Sequence, residues 1–195
     1  MLTHETFKQR VEKIPTLYTQ AHAPILYGLV RWLKPQTVIE VGSYAGYATA
    51  WLARALQENA EDGHVIAIDE FSLGTSPAIL HNHMVMLEVA NHVQIIPHSS
   101  NAFPWPSCDF AFIDGDHSFE GVTYDFNAAV QAGAECIVIH DTRSWWGPEK
   151  FIHEKEALGY RFIEWPQSEG LAIYLKAYPR TQPRETQEKY PTGKV

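Results

Sequence analysis

The sequence is poor in cysteine, with only Cys108 and Cys136 among its 195 residues. Two isolated cysteines make neither a disulfide framework nor the clustered spacing of a zinc site. Both lie in or beside strongly apolar stretches that predict buried strands. We therefore expect them to be small core residues with no redox or metal-binding role.

Long apolar runs are also missing. No stretch approaches the roughly 18 apolar residues of a membrane-spanning helix. The N-terminus also lacks the basic segment and apolar run of a secretory signal. These absences argue against an integral membrane protein. They predict a cytoplasmic protein that has no membrane partner.

Basic residues are in deficit, with 15 Lys and Arg against 23 Asp and Glu, a net charge of -8 and a pI of about 5.6. The basic residues are scattered, so the sequence predicts no groove that could hold a phosphate backbone. We therefore expect no nucleic-acid partner. A small neutral or cationic substrate suits this charge balance better.

From residue 23 onward, helical and strand periodicities alternate. Apolar residues recur at helical spacing over 25–33, 48–56, 79–90, 122–130 and 149–158. Short β-rich runs cover Thr37–Val41, His64–Ile68, Val93–Ile96, Phe110–Ile113 and 136–139. Two last strands, 161–164 and 171–176, are joined by a turn at 167–170 that is too short for a crossover, so they must be antiparallel. The pattern predicts an α/β, Rossmann-like fold: a mostly parallel seven-stranded sheet with helices on both faces and a C-terminal antiparallel hairpin strand.

Three segments follow from this pattern: a helical extension over 1–23, a domain over 24–177 and a polar tail over 178–195. The extension is amphipathic in places, and we expect it to cover a pocket or a dimer face. Because it is short, the pocket is expected to be open or completed by a second subunit in a homodimer. The tail contains three prolines and shows no periodicity, which is typical of a flexible or partner-binding segment.

The most informative segment is 38–47, where a strand ends near an acidic residue, Glu40, and a helix follows Gly42 and Gly46. Glycine permits a positive φ or a close approach of the backbone to a ligand. Tyr44 stands where a dinucleotide motif has its middle glycine, which argues against a tightly held diphosphate. The Glu40 carboxylate suits a cationic amino or sulfonium group. By itself, the glycine pattern is equally that of a tight strand–helix turn.

A second acidic residue, Asp69, ends the next strand. At this position in nucleotide-binding sheets an acidic side chain accepts hydrogen bonds from ribose hydroxyls. Asp69 thus strengthens the interpretation of the preceding glycine turn as part of a nucleotide-type site.

Residues 40–47 resemble the cofactor motif of class I S-adenosylmethionine-dependent methyltransferases, especially the catechol and caffeoyl-CoA type O-methyltransferases. Residues 24–176 also follow that family's strand order. The resemblance implies S-adenosylmethionine as cofactor, with Glu40 near its methionine amino group and Asp69 on its ribose. It further implies a cofactor lining made of Gly42, Ser43, Tyr44, Gly46 and Asp114, with Ser99 and Ser100 beside the adenine.

The ends of the fourth and fifth strands carry a cluster of titratable residues: Asp114, Asp116, His117, His140 and Asp141. Parallel strands deliver such residues to one edge of the sheet. Clustered carboxylates need a cation or a proton to offset their repulsion, and oxygen ligands suit Mg²⁺, Ca²⁺ or Mn²⁺. The alternative is structural: Asp116 or Ser118 caps the next helix, and His140 is a satisfied hydrogen-bonding residue.

The stretch 114–122, with His140 and Asp141 beyond it, resembles a bacterial methyltransferase subgroup related to cephalosporin hydroxylase-like and sugar O-methyltransferase proteins. In its metal-dependent relatives the ends of these two strands supply carboxylate ligands. Carried over by position, these are Asp114 and Asp141, and His140 is a further candidate ligand. Two departures are visible: Thr142 replaces the amide of the catechol-type enzymes, and His140–Asp141 replaces the acidic pair of the sugar-modifying relatives.

These features predict methyl transfer to a hydroxyl of a small molecule. Either His117 or His140 would take the proton, and Asp141 would orient the base or hold a divalent ion. Trp145 and Trp146 are expected in a loop ended by Gly147–Pro148, with one of them facing a substrate or a subunit partner.

Two other functions remain open. A nicotinamide-dependent oxidoreductase is disfavoured by Glu40 and by the missing middle glycine. A non-catalytic S-adenosylmethionine-binding module is disfavoured by the rim carboxylates, which such a module has no need to keep.

Overall fold

The computed structural model describes residues 1–17, 19–59 and 62–177. Within them lie seven strands: β1 (Thr37–Val41), β2 (His64–Ile68), β3 (Val93–Ile96), β4 (Phe110–Ile113), β5 (Cys136–His140), β6 (Phe162–Trp165) and β7 (Leu171–Leu175). The α-helices are α1 (His4–Val11), α2 (Ala23–Leu33), α3 (Tyr47–Asn59), α4 (Pro77–Met86), α5 (Phe119–Ala132) and α6 (Trp146–Ala157). The predicted tail over 178–195 lies outside the described residues.

The strands form one sheet in the order β3-β2-β1-β4-β5-β7-β6. The first five strands are parallel, whereas β7 runs antiparallel to both β5 and β6. This confirms the predicted fold class, including the final hairpin. The strand order reverses between β1 and β4, and ligands of open α/β sheets bind outside the carboxyl ends of the strands at such a point.

A hydrophobic cluster covers each face of the sheet. One contains α2, α3 and the N-terminal segment, and the other contains α5 and α6. Phe7, Val11 and Ile14 are all buried in the first cluster. The N-terminal segment is therefore packed on the domain through its apolar side chains.

Helix ends differ from the predicted ones where proline lies in a first turn. The helix expected over 79–90 begins at Pro77, because Ser76 caps it by accepting a hydrogen bond from the Ile79 amide, and it ends at Met86. The helix expected over 149–158 begins at Trp146, so the expected loop ended by Gly147–Pro148 is wrong. Proline fits a first turn because the amide hydrogen that it lacks has no partner there.

The Cys108 and Cys136 thiols are free and buried, as expected of core residues. Across the described ranges, none of the helices combines the length and the apolar character needed to cross a bilayer.

Candidate active site

A cavity of about 830 Å³ opens at the carboxyl edge of the sheet, beside the point where the strand order reverses. The loops after the first five strands and Thr16, Leu17 and Thr19 of the N-terminal segment line it. The predicted site residues in its lining are Gly42, Ser43, Tyr44, Asp69, Ser99, Ser100, Asp114, His117, Asp141 and Trp145. Those outside its lining are Glu40, Gly46, His140 and Trp146.

The turn after β1 depends on glycine because two loops cross there at close range. Gly42 has a φ of +87°, and a Cβ on it would lie 2.0 Å from the carbonyl oxygen of Asp114. Tyr44 also has a positive φ, and its amide donates to Asp69 Oδ2 at 2.7 Å. The Phe71 amide donates to the other Asp69 oxygen. Backbone groups therefore fix both the turn and the acidic residue predicted to bind a ribose.

Glu40 lies beneath the cavity and is fully buried. Its Oε2 accepts a hydrogen bond of 2.5 Å from the Thr49 hydroxyl, while its Oε1 and the buried Ser43 Oγ make no hydrogen bond of good geometry. Burial raises the pKa of Glu40 to about 8. The predicted contact of Glu40 with a cationic amino group remains a prediction.

Gly46 serves packing, because a Cβ there would come within 2.9 Å of Met84 and 3.1 Å of Leu80 on α4. Ser99 and Ser100 lie in the loop after β3, where the Ser99 hydroxyl donates to Asn101. Their predicted place beside an adenine remains a prediction.

The loops after β4 and β5 bring two carboxylates and two histidines together. His117 Nε2 lies 2.9 Å from Asp141 Oδ2, and His140 Nδ1 lies 3.0 Å from Asp114 Oδ1 and 3.1 Å from Asp141 Oδ1. Asp141 has a φ of +60°, a conformation that Asp tolerates better than most residues. Ser118 caps α5 and Asp116 accepts from the Ser118 amide, which confirms the capping alternative for this pair.

Opposite charges in this cluster shift the pKa values of its members toward their charged forms. Burial alone lowers the pKa of His140, but the Asp114 and Asp141 carboxylates outweigh it and raise the pKa to about 10. The same competition raises the pKa of His117 to about 9. Burial raises the pKa of Asp141, yet the close approach of His117 and His140 holds that pKa well below its usual range. The carboxylates and the histidines therefore favour one another's charged forms, and a bound cation would compete with the protons on the histidines.

The same residues fit a divalent ion. Ligand atoms of Asp114, His140 and Asp141 all lie within 4.8 Å of one another. His117 Nε2 and His140 Nδ1 are buried next to carboxylates, yet neither makes a hydrogen bond of good geometry. Ligand atoms that converge without pairing well are what an ion site requires. Two oxygens and one imidazole nitrogen suit Mn²⁺ or another transition ion better than Mg²⁺.

The two tryptophans have different surroundings. The Trp145 ring stacks on His117, with centroids 5.1 Å apart and planes 10° from parallel, and it lines the cavity. Trp146 begins α6 and faces Lys150, whose Nζ lies 4.9 Å from its ring centroid. Only Trp145 is therefore placed to touch a ligand in this cavity.

One residue near the rim escaped sequence reasoning. His22 is fully buried, and its Nδ1 lies 2.8 Å from His140 Nε2. It precedes α2, more than one hundred positions from its partner in the sequence. No motif or local spacing signals such a contact, so only the fold could reveal it.

The cavity is strongly acidic. Six carboxylates line it: Asp69, Glu70, Asp114, Asp116, Glu120 and Asp141. None of the described lining residues is a lysine or an arginine. An anionic ligand would therefore meet repulsion without a compensating ion pair.

Similar proteins share this architecture. The O-methyltransferase TomG from Streptomyces achromogenes, solved with S-adenosylmethionine, is 18% identical with a TM-score of 0.65, covering 89% of this chain and 90% of its own. An O-methyltransferase from Bacillus cereus in complex with S-adenosylhomocysteine is 17% identical with a TM-score of 0.66, covering 90% and 93%. A methyltransferase from Geobacter sulfurreducens is 16% identical with a TM-score of 0.64, covering 90% of each chain. At these identities the likeness concerns the fold.

The sequence comparisons are narrower. No curated protein matches the chain. The family model described as a methyltransferase domain matches residues 39–142, which run from β1 to just beyond the His140–Asp141 pair. The chain therefore belongs to this methyltransferase domain family, and its fold is that of the solved methyltransferases named above.

Proposed function

We propose that the protein transfers the methyl group of S-adenosylmethionine to a hydroxyl of a small neutral or cationic molecule. The observation that carries this proposal is the meeting of Asp114, His117, His140 and Asp141 beside the turn at Gly42. A nucleotide-type turn and a cluster of proton-accepting groups share one cavity. This is the combination that methyl transfer to a hydroxyl requires.

The cofactor half of the proposal rests on backbone groups. The turn after β1 lines the cavity, and Asp69 presents an oriented carboxylate beside it. Acidic walls suit the positive sulfonium and amino groups of S-adenosylmethionine. Holding the acceptor in line with the methyl group can contribute about 7–11 kcal/mol toward the barrier.

His117 is the better candidate for the base. It lines the cavity and its side chain is 24% exposed, whereas His140 is buried outside the lining. Asp141 holds the His117 ring, and Trp145 stacks on it. We propose that His117, in its neutral form, accepts the proton of the acceptor hydroxyl, and that His140 and Asp141 hold the His117 side of the cavity in position.

Asp114, His140 and Asp141 would hold a divalent ion. Such an ion, when bound, lowers the pKa of a coordinated hydroxyl. Metal assistance is therefore part of the proposal.

The acceptor is proposed to be uncharged or cationic because the described cavity lining carries six carboxylates and no basic residue other than His98 and His117. Acyl-CoA esters and sugar phosphates are therefore expected to be poor substrates. Phenols, amino alcohols and neutral sugars remain as the classes to screen.

Calorimetry with S-adenosylhomocysteine and NAD side by side tests the cofactor. Binding of S-adenosylhomocysteine alone is expected, and binding of NAD alone would overturn the proposal. Methylation of the three acceptor classes is then followed by mass spectrometry, with and without EDTA and with Mn²⁺ or Mg²⁺ added back. Full activity after EDTA treatment would remove the metal from the proposal.

A further inference from the structure

A chain of hydrogen bonds runs from the cavity rim to two distant parts of the sequence. His22 Nδ1 lies 2.8 Å from His140 Nε2, and His22 Nε2 lies 3.1 Å from the carbonyl oxygen of Gln167. The two rings meet edge to face, with centroids 4.9 Å apart, and both are buried. The chain thus joins the N-terminal segment, the end of β5 and the turn between β6 and β7.

The two ends of this chain determine where its protons lie. A carbonyl oxygen only accepts, so His22 Nε2 must carry a hydrogen. At the other end, His140 Nδ1 faces carboxylate oxygens of Asp114 and Asp141. That atom must carry a proton or bind a cation, because it cannot face two negative charges with a bare lone pair.

The contact between His22 Nδ1 and His140 Nε2 needs one hydrogen, which either ring could carry. His140 faces two carboxylates, whereas His22 faces only the neutral carbonyl of Gln167, so His140 is the ring placed to carry the additional positive charge. That proton therefore lies on His140 Nε2, and His22 Nδ1 accepts it. The direction of the bond is the same whether His140 Nδ1 carries a proton or binds an ion.

The turn that anchors His22 is itself fixed to the rim. The Glu169 carbonyl accepts a hydrogen bond of 2.8 Å from the Arg143 amide, two residues after Asp141. A Cβ on Gly170, whose φ is +85°, would lie 2.7 Å from Thr142 Oγ1. The Gln167 carbonyl therefore has a defined position relative to the loop after β5.

We propose that His22 is a positioning residue, which holds the His140 ring in the orientation that presents Nδ1 to Asp114 and Asp141. A half-turn about the bond from Cβ to the ring would exchange Nδ1 with Cδ2 and Nε2 with Cε1. The carboxylates would then face a C–H group. An sp³–sp² torsion of this kind has two similar wells, so an acceptor at Nε2 is what selects one of them.

Two substitutions test the assignment. His22→Phe keeps a flat ring and removes both hydrogen bonds, whereas His22→Gln keeps an acceptor for His140 and a donor for Gln167. His92→Phe is the matched control, because His92 is a partly buried histidine that lies 2.8 Å from the Gly63 carbonyl and is outside the cavity lining.

The first readout is ¹⁵N NMR of the histidine rings, which needs no turnover. In the wild-type protein, His22 is expected to carry its hydrogen on Nε2 and to accept at Nδ1. A protonated His22 Nδ1 would overturn the proposal without any variant. In His22→Phe the His140 ring signals are expected to change or split, and in His22→Gln and His92→Phe they are expected to persist.

The second readout is kinetic and rests on the proposed function. His22→Phe is expected to lower kcat about tenfold or more, as loss of an orienting partner does, with affinity for S-adenosylhomocysteine within about twofold. His22→Gln should recover most of the rate. The proposal would be overturned if His22→Phe lowered the melting temperature and the cofactor affinity together with kcat, and if His22→Gln restored none of them. That result would indicate a merely structural role for His22. If the wild type methylates nothing, the proposed function fails while the NMR result still decides this inference.

Discussion

The two halves of the cavity are built by different means. The β1–β2 half (Gly42, Ser43, Tyr44 and Asp69) is shaped by backbone dihedral angles and amide hydrogen bonds. The β4–β5 half (Asp114, His117, His140 and Asp141) is shaped by charged side chains that hold one another. The backbone of the β1–β2 half can recognise a ligand by its shape, whereas the charged side chains of the β4–β5 half can accept a proton or hold a cation. The difference predicts that the two halves fail in different ways when altered.

The largest expected effect is on kcat, and it distinguishes damage to the β4–β5 half from damage to the β1–β2 half. Asp141→Asn removes one charge from the β4–β5 half and keeps a residue type that tolerates the positive φ. His117 and His140 then lose a common partner, so we expect kcat to fall about 10³-fold. Calorimetry should find the affinity for S-adenosylhomocysteine nearly unchanged. A parallel loss of cofactor affinity would place Asp141 in the nucleotide pocket instead.

The matching variant in the β1–β2 half is Asp69→Asn. It should weaken S-adenosylhomocysteine binding about ten- to hundredfold, because charged hydrogen bonds contribute about 1.5–3 kcal/mol. The value of kcat at saturating cofactor should stay close to wild type. If the two variants give the same kinetic pattern, the division into halves is wrong.

The next effect tests the contact between the halves. Gly42→Ala would place a Cβ 2.0 Å from the Asp114 carbonyl oxygen, at a φ of +87°. Overpacking and backbone strain together should lower the free energy of unfolding by about 3 kcal/mol or more. Urea unfolding measures this loss, and S-adenosylhomocysteine affinity should fall with it.

Gly28→Ala is its control. Gly28 is an exposed residue of α2, and a Cβ there meets nothing within 4 Å. This substitution should raise the free energy of unfolding by about 0.5–1 kcal/mol. Equal effects at both glycines would mean that the crossing of the β1 and β4 loops is not tight.

The sequence predicted the β1–β2 half well because that half is local. The periodicities predicted all seven strands, the family resemblance implied their order, and Gly42 and Asp69 could be identified by their positions after strands. Glu40 shows what the motif could not predict. Its ligand contact remains a prediction, while its full burial and its hydrogen bond from Thr49 depend on the fold.

The β4–β5 half was predicted only in part because its contacts are not local. Strand ends brought Asp114, His117 and Asp141 to one rim, but the chain from His22 to Gln167 depends on tertiary packing. Trp145 and Trp146 looked equivalent in sequence. A helix start between them separates their roles, and the first-turn proline that signals it was interpreted as the end of a loop.

A smaller effect concerns buried carboxyl groups. Glu40, beneath the β1–β2 half, accepts a hydrogen bond from the Thr49 hydroxyl. Asp125 on α5, beyond the β4–β5 half, is 1% exposed, and neither of its oxygens makes a hydrogen bond of good geometry. Burial raises the pKa of Asp125 from 3.8 to about 6. Below pH 4 the carboxyl is protonated in both the folded and the unfolded state. Between pH 4 and 6 only the unfolded state ionises, so this group lowers stability as pH rises, by about 3 kcal/mol at pH 7.

Asp125→Asn removes that pH-dependent loss. Its free energy of unfolding minus that of the wild type should increase from pH 4 to pH 6 and then level off, in urea titrations at each pH. Glu149→Gln, an exposed change on α6, should show no such trend. A flat difference for Asp125→Asn would mean that the carboxyl is solvated in the folded protein.

The smallest effect concerns the edge of the β4–β5 half. Trp145 is 54% exposed and stacks on His117, so it offers an aromatic face at the cavity mouth. A stacked aromatic contact contributes about 0.5–1.5 kcal/mol, so Trp145→Ala should raise the acceptor KM up to about tenfold with a smaller change in kcat. Trp146 is 67% exposed and lies outside the cavity lining, so Trp146→Ala should leave both constants within about twofold. Because a stack that also orients His117 would lower kcat as well as raise KM, the ratio of the two effects shows whether Trp145 binds the acceptor or supports the base.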